Sequence, residues 1–236
     1  MKEPHPMTIA IAVAVTTCAF LIYHFSSGSL AFKRRVETLL GYRNASFDQV
    51  VANRLLGFLL FGGLPLIAIF FMADFRLKDF GFGTQAGFLS WMWIAILSVA
   101  IITMNFLNAP QKSNLAMYPQ IRIPVWSAST IFISAITWIL YLAAYEFMFR
   151  GFLLFALYSE LGMVAAIAIN TSIYSLVHIP KGKTEALGAI PLGILLCYLT
   201  LITGNLLIAF VVHVVMALSN EWFSLRVHPE MKVLRK

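Results

Sequence analysis

Apolar runs of about 20 residues recur along almost the whole chain, near positions 7–25, 55–73, 88–107, 125–157, 162–179, 187–203 and 205–223. An α-helix needs about 20 apolar residues to cross a ~30 Å hydrocarbon core. In lipid every backbone N–H and C=O must find its partner inside the protein, so helices are the simplest structure such runs can form. The expectation is an all-α fold, a polytopic transmembrane bundle of about seven helices. With 60% hydrophobic and 11% charged residues, a soluble domain of 236 residues would be covered in exposed apolar surface. No internal repeat or low-complexity linker divides the chain, and residues 1–236 read as a single integral membrane domain. The fourth run is too long for the core if straight, so it tilts, projects or splits in two. A split changes the parity of every loop after it.

Basic residues orient the bundle. With the N-terminus outside, Lys33, Arg34, Arg35, Arg43 and Arg54 fall in the first inner loop, Lys112, Arg122, Lys181 and Lys183 in later ones, and Arg226, Lys232, Arg235 and Lys236 in the tail. That puts 13 of 17 Lys and Arg on the cytoplasmic side, against Lys2, Arg76 and Lys78 outside and Arg150 in the membrane, as the positive-inside rule favours. The net charge of +7 is then a topology signal, helped by anionic lipid, and does not point to nucleic acid. In Met1 to Ser27 the positive charge follows the apolar run instead of preceding it, which suits a retained first helix more than a signal peptide. Cys18 and Cys197 both lie in apolar runs and suggest neither a disulfide framework nor a metal site. The sequon Asn44-Ala45-Ser46 falls in a loop assigned to the cytoplasm, and chance explains it best.

Polar chemistry inside the runs is sparse. Glu146 and Arg150, in Tyr145-Glu146-Phe147-Met148-Phe149-Arg150-Gly151, read as the only acid and base set deep in an apolar run. A charge at the bilayer centre costs roughly 2.5 to 3.5 kcal/mol on insertion scales, so such a pair is a functional-site hypothesis by default. His178 ends the segment Tyr174-Ser175-Leu176-Val177-His178-Ile179-Pro180, and Pro180 places it in the last turn of its helix. His213 lies within Phe210-Val211-Val212-His213-Val214-Val215-Met216-Ala217. At ~1.5 Å per helical residue, Glu146, His178 and His213 lie at depths of roughly 18, 22 and 12 Å below the outer ends of their helices, close enough to meet. A carboxylate with a cation one turn away serves as a general base, and imidazoles donate to an oxyanion, relay protons or bind a metal. Taken singly, the pair reads equally well as an i, i+4 structural ion pair, and each histidine reads better as an interhelical hydrogen-bonder. Together they describe a hydrolytic site.

Three motifs carry a family resemblance. Tyr145-Glu146-Phe147-Met148-Phe149-Arg150-Gly151, then Tyr174-x-x-x-His178, then His213-x-x-x-Ala217 resemble those of the CAAX-protease and bacteriocin-processing family of intramembrane proteases, CPBP or Abi. The family pattern is Glu-Glu-x-x-x-Arg, Phe-x-x-x-His and His-x-x-x-Asn or Asp. The match covers about residues 125–223, the expected catalytic core. The stretch from His178 to Glu185 is similar to bacterial members, which implies a bacterial cytoplasmic membrane.

The resemblance implies Glu146 as base, Arg150 as its orienting group, and His178 and His213 as groups that polarise the scissile carbonyl and hold the oxyanion. Tyr145 and Tyr174 are the expected substrate contacts. If a divalent metal such as zinc takes part, Glu146, His178 and His213 are its candidate ligands. The implied substrates are hydrophobic or prenylated peptides, met among membrane lipids. Tyr145 stands where the family has its first Glu, the presumed water-activating base, and Ala217 stands where the family has Asn or Asp. Adjacent helix positions point about 100° apart, so Glu146 takes over the missing role only if the helix twists. These departures keep open a silent member acting as an immunity or scaffold protein. Intramembrane carboxylate and histidine also suit a proton-coupled transporter, although inverted repeats are not evident and Gly62-Gly63-Leu64-Pro65 reads as a local kink.

Overall fold

A computed structural model describes residues 6–40, 45–72, 76–82 and 86–234. Lys2, Arg43, Arg235 and Lys236 of the charge pattern, and Asn44 of the sequon, lie outside them. The helices are α1 (Pro6–Ser27), α2 (Leu30–Leu40), α3 (Ala45–Phe71), α4 (Phe88–Asn108), α5 (Lys112–Leu115), α6 (Ala128–Glu146), α7 (Leu154–Leu176), α8 (Lys183–Thr203) and α9 (Leu207–Val227). A π-helical segment, Phe147–Leu153, joins α6 to α7, and 3-10 turns cover Leu77–Phe80 and Ile179–Lys181. Two short strands, β1 (Val125–Trp126) and β2 (Lys232–Val233), pair in parallel and tie the tail to the loop before α6. This is an all-α polytopic bundle.

Six helices are long and apolar enough to cross a membrane, among them one continuous run of 49 residues, Ala128–Leu176. That run takes in both the fourth and the fifth apolar runs, and the fourth, 125–157, does not split but continues from α6 through the π-helical segment into α7. Gly162 has φ 76° and ψ 176°, outside helical geometry and accessible at low cost only to glycine, and it breaks the run into two legs. The legs return side by side: the Asn170 amide donates to the Phe149 carbonyl at 2.6 Å, and the Tyr145 and Tyr174 rings lie 6.0 Å apart. The first leg is long enough to cross a membrane, and the second, residues 163–176, is shorter, about 21 Å at ~1.5 Å per residue. The Gly62-Gly63-Leu64-Pro65 stretch does not interrupt α3, which carries Pro65 within one helix.

The helices start and stop for local reasons. Ser127, in extended backbone, caps α6 by accepting from the Thr130 N–H at 3.1 Å, and Gly204, in the left-handed region, closes α8. The bundle pairs α3 with α6, α7 with α8 and α4 with α9. Helix α3 approaches α6 so closely at Gly57 that a Cβ there would stand 2.4 Å from the Tyr141 ring. Large side chains such as Leu59, Phe70, Val99, Phe106 and Val164 face outward, where only lipid stabilises their exposure.

The loops sort to two ends. The Arg122 N–H donates to Ser46 Oγ at 2.7 Å, Tyr118 O–H donates to Glu185 at 3.5 Å, and the strand pair joins the same region. This end gathers Lys33, Arg34, Arg35, Lys112, Arg122, Lys181, Lys183, Arg226 and Lys232. At the opposite end, near Arg76 and Lys78, the Leu206 N–H donates to the Gly81 carbonyl at 3.4 Å. Arg54 corrects the loop assignment: α3 begins at Ala45, and Arg54 is buried at 3% exposure within it.

Candidate active site

Glu146 ends α6 and Arg150 lies one turn on, inside the π-helical segment. Such i→i+5 turns are rare and recur at functional sites. Here the Phe149 carbonyl accepts both from the Leu154 N–H and from a side chain, Asn170, whose Oδ1 in turn accepts from Cys197 at 3.2 Å. Glu146 and Arg150 are both completely buried and form an ion pair at 3.4 Å. The guanidinium lies over the Tyr174 ring, 3.8 Å from its centroid, a cation–π contact strengthened by the burial of both groups. Arg150 therefore holds Glu146 with its charge and Tyr174 with its face.

The third partner of Glu146 comes from α9. His213 Nδ1 lies 2.5 Å from Glu146 Oε1. A carboxylate paired with an arginine only accepts, so His213 Nδ1 carries the proton of this contact, and in the neutral ring Nε2 carries the lone pair. His178, just past α7, has its Nδ1 at 2.7 Å from the Tyr174 carbonyl. A backbone carbonyl also only accepts, so the neutral His178 ring presents Nε2 as a lone pair as well. With both rings neutral, the two Nε2 atoms are acceptors toward the space between them. This differs from the expected pair of imidazole donors to an oxyanion, and the difference comes from which partner each Nδ1 finds in the folded chain.

That space is a cavity of about 590 Å³ between α4, α6, α8 and α9, lined by Tyr145, Tyr174, His178, His213 and Ala217 and closed by apolar residues such as Leu142, Leu192 and Met216. Glu146 does not line it. Tyr145 does, with its ring 5.7 Å from that of His213 and 6.4 Å from that of His178. No hydrogen bond of its hydroxyl occurs among the described residues, so the phenol is the donor beside the two acceptors. The structure brings Tyr145, Tyr174, His178 and His213 to one wall and sets Glu146 and Arg150 behind it. Asn220, three residues past Ala217 on α9, also faces the cavity; it sits one turn beyond the position where a motif reading looks for an amide.

A second cavity of about 440 Å³ lies nearer the cation-rich end, lined by Tyr23, Arg54, Gln120, Arg122 and Lys181. Trp138, Tyr141, Tyr145, His178 and Lys181 border both spaces. Tyr118, in the loop above, is a phenol that burial pushes above its ordinary range, so it remains a donor to Glu185.

A second buried pair corrects the expectation that Glu146 and Arg150 stand alone. Arg54 donates to Glu221 at 3.1 Å, to Gln120 at 3.1 Å, to Ser134 Oγ and its carbonyl at 3.0 Å and to Thr137 at 3.3 Å, and stacks on Trp138 at 4.1 Å. Trp138 Nε1 donates to Glu221 at 2.9 Å, and the Ser134 hydroxyl donates to its other oxygen. The signal for it was faint, because Arg54 and Glu221 sit near the ends of their apolar runs, where long side chains ordinarily reach water.

A zinc ion does not fit the candidate set. Among the described residues no three His, Cys, Asp or Glu side chains are placed to hold a metal: Glu146 is occupied by Arg150 and His213, and His178 Nδ1 by a backbone carbonyl.

Fold and site together define a membrane-embedded helical bundle with a polar, histidine-bearing cavity. Residues 124–219 match the family model described as Type II CAAX prenyl endopeptidase Rce1-like. This segment is thus similar to an Rce1-like domain, in agreement with the CPBP resemblance. The match takes in the Glu146, Arg150, His178 and His213 motifs and leaves Arg54 and Glu221 outside. No curated protein and no solved structure gives a match.

Proposed function

We propose that the protein is an intramembrane endopeptidase that hydrolyses hydrophobic or lipidated peptides and acts through a Glu146–His213 dyad in a bacterial cytoplasmic membrane. The observation that carries this reading is the contact of His213 Nδ1 with the buried Glu146 at 2.5 Å, within the Rce1-like domain, while His213 itself lines the cavity. Glu146 works through His213 instead of touching water. It fixes the ring's tautomer and stabilises the imidazolium that forms, and Arg150 balances its charge when the ring is neutral.

In this scheme water between the histidines gives a proton to His213 Nε2 as its oxygen bonds to the scissile carbonyl carbon. The oxyanion accepts from the Tyr145 hydroxyl, a donor of the kind that stabilises tetrahedral intermediates. Collapse of the intermediate breaks the C–N bond, and the leaving amine takes the proton from the His213 imidazolium. His178 Nε2 accepts the second hydrogen of the water and so aims it. The cavity's apolar walls suit a lipidated or hydrophobic residue beside the scissile bond.

Turnover of prenylated and unmodified hydrophobic peptides by purified protein in lipid tests the scheme. Wild type is expected to cleave, His213→Ala and Glu146→Gln to lose cleavage while remaining folded, and Tyr145→Phe to slow it. Full activity in His213→Ala would end the dyad scheme.

One observation favours a second reading. Tyr145 occupies the cavity-facing position of the family's first acid, and Ala217 brings no amide, a combination suited to binding a peptide without cutting it. In that case only Tyr145→Glu gains activity, and wild type retains peptides intact.

A further inference from the structure

Helix α2 takes no part in either cavity, yet it has the most concentrated charge of the described chain. It is 11 residues long, far short of a membrane crossing, and joins the cation-rich ends of α1 and α3. Lys33, Arg34 and Arg35 are consecutive and exposed, with Glu37 as the helix's one acid. Leu30, Leu39 and Leu40 are exposed at 71%, 69% and 49%, while Val36 turns inward. A short basic helix with uncovered leucines lies in the interface plane, its leucines in the acyl boundary and its cations at the headgroups.

Behind α2 is a cavity of about 360 Å³ lined by Ser27, Gly28, Ser29, Lys33, Ser46 and Gln49, among others. Gln49 Nε2 donates to Asn53 at 2.9 Å, but its Oε1 is shielded from solvent and has no hydrogen-bond partner among the described residues. A shielded acceptor without a donor is costly. The pocket thus offers a cation for a phosphate and an acceptor for a hydroxyl.

We propose that α2 and this pocket form a binding site for an anionic phospholipid whose headgroup carries both a phosphate and a free hydroxyl, phosphatidylglycerol being the probe. Lys33 pairs with the phosphate, Gln49 Oε1 accepts from a glycerol hydroxyl, and Arg34 and Arg35 engage neighbouring headgroups of the same leaflet. The site lies away from the Rce1-like domain, so it is independent of whether the protein cleaves peptides.

The test measures association of spin-labelled lipids with the full chain reconstituted in phosphatidylcholine bilayers. Each cation near an anionic surface is worth about fivefold in association. Phosphatidylglycerol is expected to be enriched over phosphatidylcholine on the order of tenfold, and K33Q/R34Q/R35Q to lose that enrichment while eluting as a folded monodisperse species. Gln49→Leu is expected to lower the preference for phosphatidylglycerol over phosphatidic acid, which has no glycerol hydroxyls. Free glycerol phosphate in excess is expected not to displace the lipid. Equal association of phosphatidylglycerol and phosphatidylcholine with wild type, or undiminished enrichment in the triple variant, would overturn the proposal. Complete displacement by glycerol phosphate would replace the lipid with a soluble phosphate ligand.

Discussion

The two buried ion pairs, Arg54–Glu221 and Arg150–Glu146, have the same chemistry and opposite states of completion. Around Glu221 both oxygens accept hydrogen bonds, and Arg54 spends both terminal nitrogens on α6, α9 and the loop before α6, with its Nε alone unpartnered among the described residues. Around Glu146, Arg150 Nε and Nη2 have no hydrogen bond among the described residues, and the contact with Glu146 is long at 3.4 Å. The better geometry at Glu146 goes to a histidine that faces a cavity. The more fully bonded pair fixes helix positions; the more open one, with a titratable neighbour at its edge, is the one suited to the proposed chemistry.

The comparison breaks most visibly at Glu221. Glu221→Leu strands a buried guanidinium and is expected to lower stability by about 3–5 kcal/mol, read as thermal unfolding in detergent, whereas Arg54→Met with Glu221→Leu recovers most of it. If the single variant unfolds like wild type, this pair is not the anchor described. At the other pair the large effect is on rate: His213→Ala is expected to cost roughly 10²–10⁴-fold in peptide turnover, with a much smaller change in unfolding temperature. An equal loss of stability would make the two pairs alike. Asn170→Leu removes one of the two donors to the Phe149 carbonyl of the π-helical segment, the Leu154 N–H remaining, and a loss of roughly 1.5 kcal/mol is expected, along with slower turnover, since Arg150 is the next residue. The smallest effect is at the start of the helix that serves both pairs: Ser127→Ala removes the cap of α6 and is expected to cost about 1 kcal/mol by the same unfolding measurement, with turnover unchanged.

Much of the architecture was legible in residue order. The membrane-length runs and the parity of the loops follow from apolar length, since lipid leaves the backbone few alternatives. Glu146, Arg150, His178 and His213 were legible too, because unlike residues in an apolar run stand out. Arg54 and Glu221 were not. They lie 167 positions apart, near helix ends, and nothing local marks them as partners. The inward-facing role of Tyr145 was visible as a substitution in a motif; that Glu146 stays behind the wall was not.

Residue order by itself determined the helices, their alternation across the membrane and the identity of the polar groups that cannot face lipid, because hydrophobic length and backbone hydrogen bonding are properties of one segment at a time. Tertiary structure alone decided which nitrogen of each histidine is spent, which carboxylate is sealed and which tyrosine meets the cavity. Those outcomes depend on partners brought from α6, α7 and α9 to within hydrogen-bond distance, and a hydrogen bond is a property of two segments in contact.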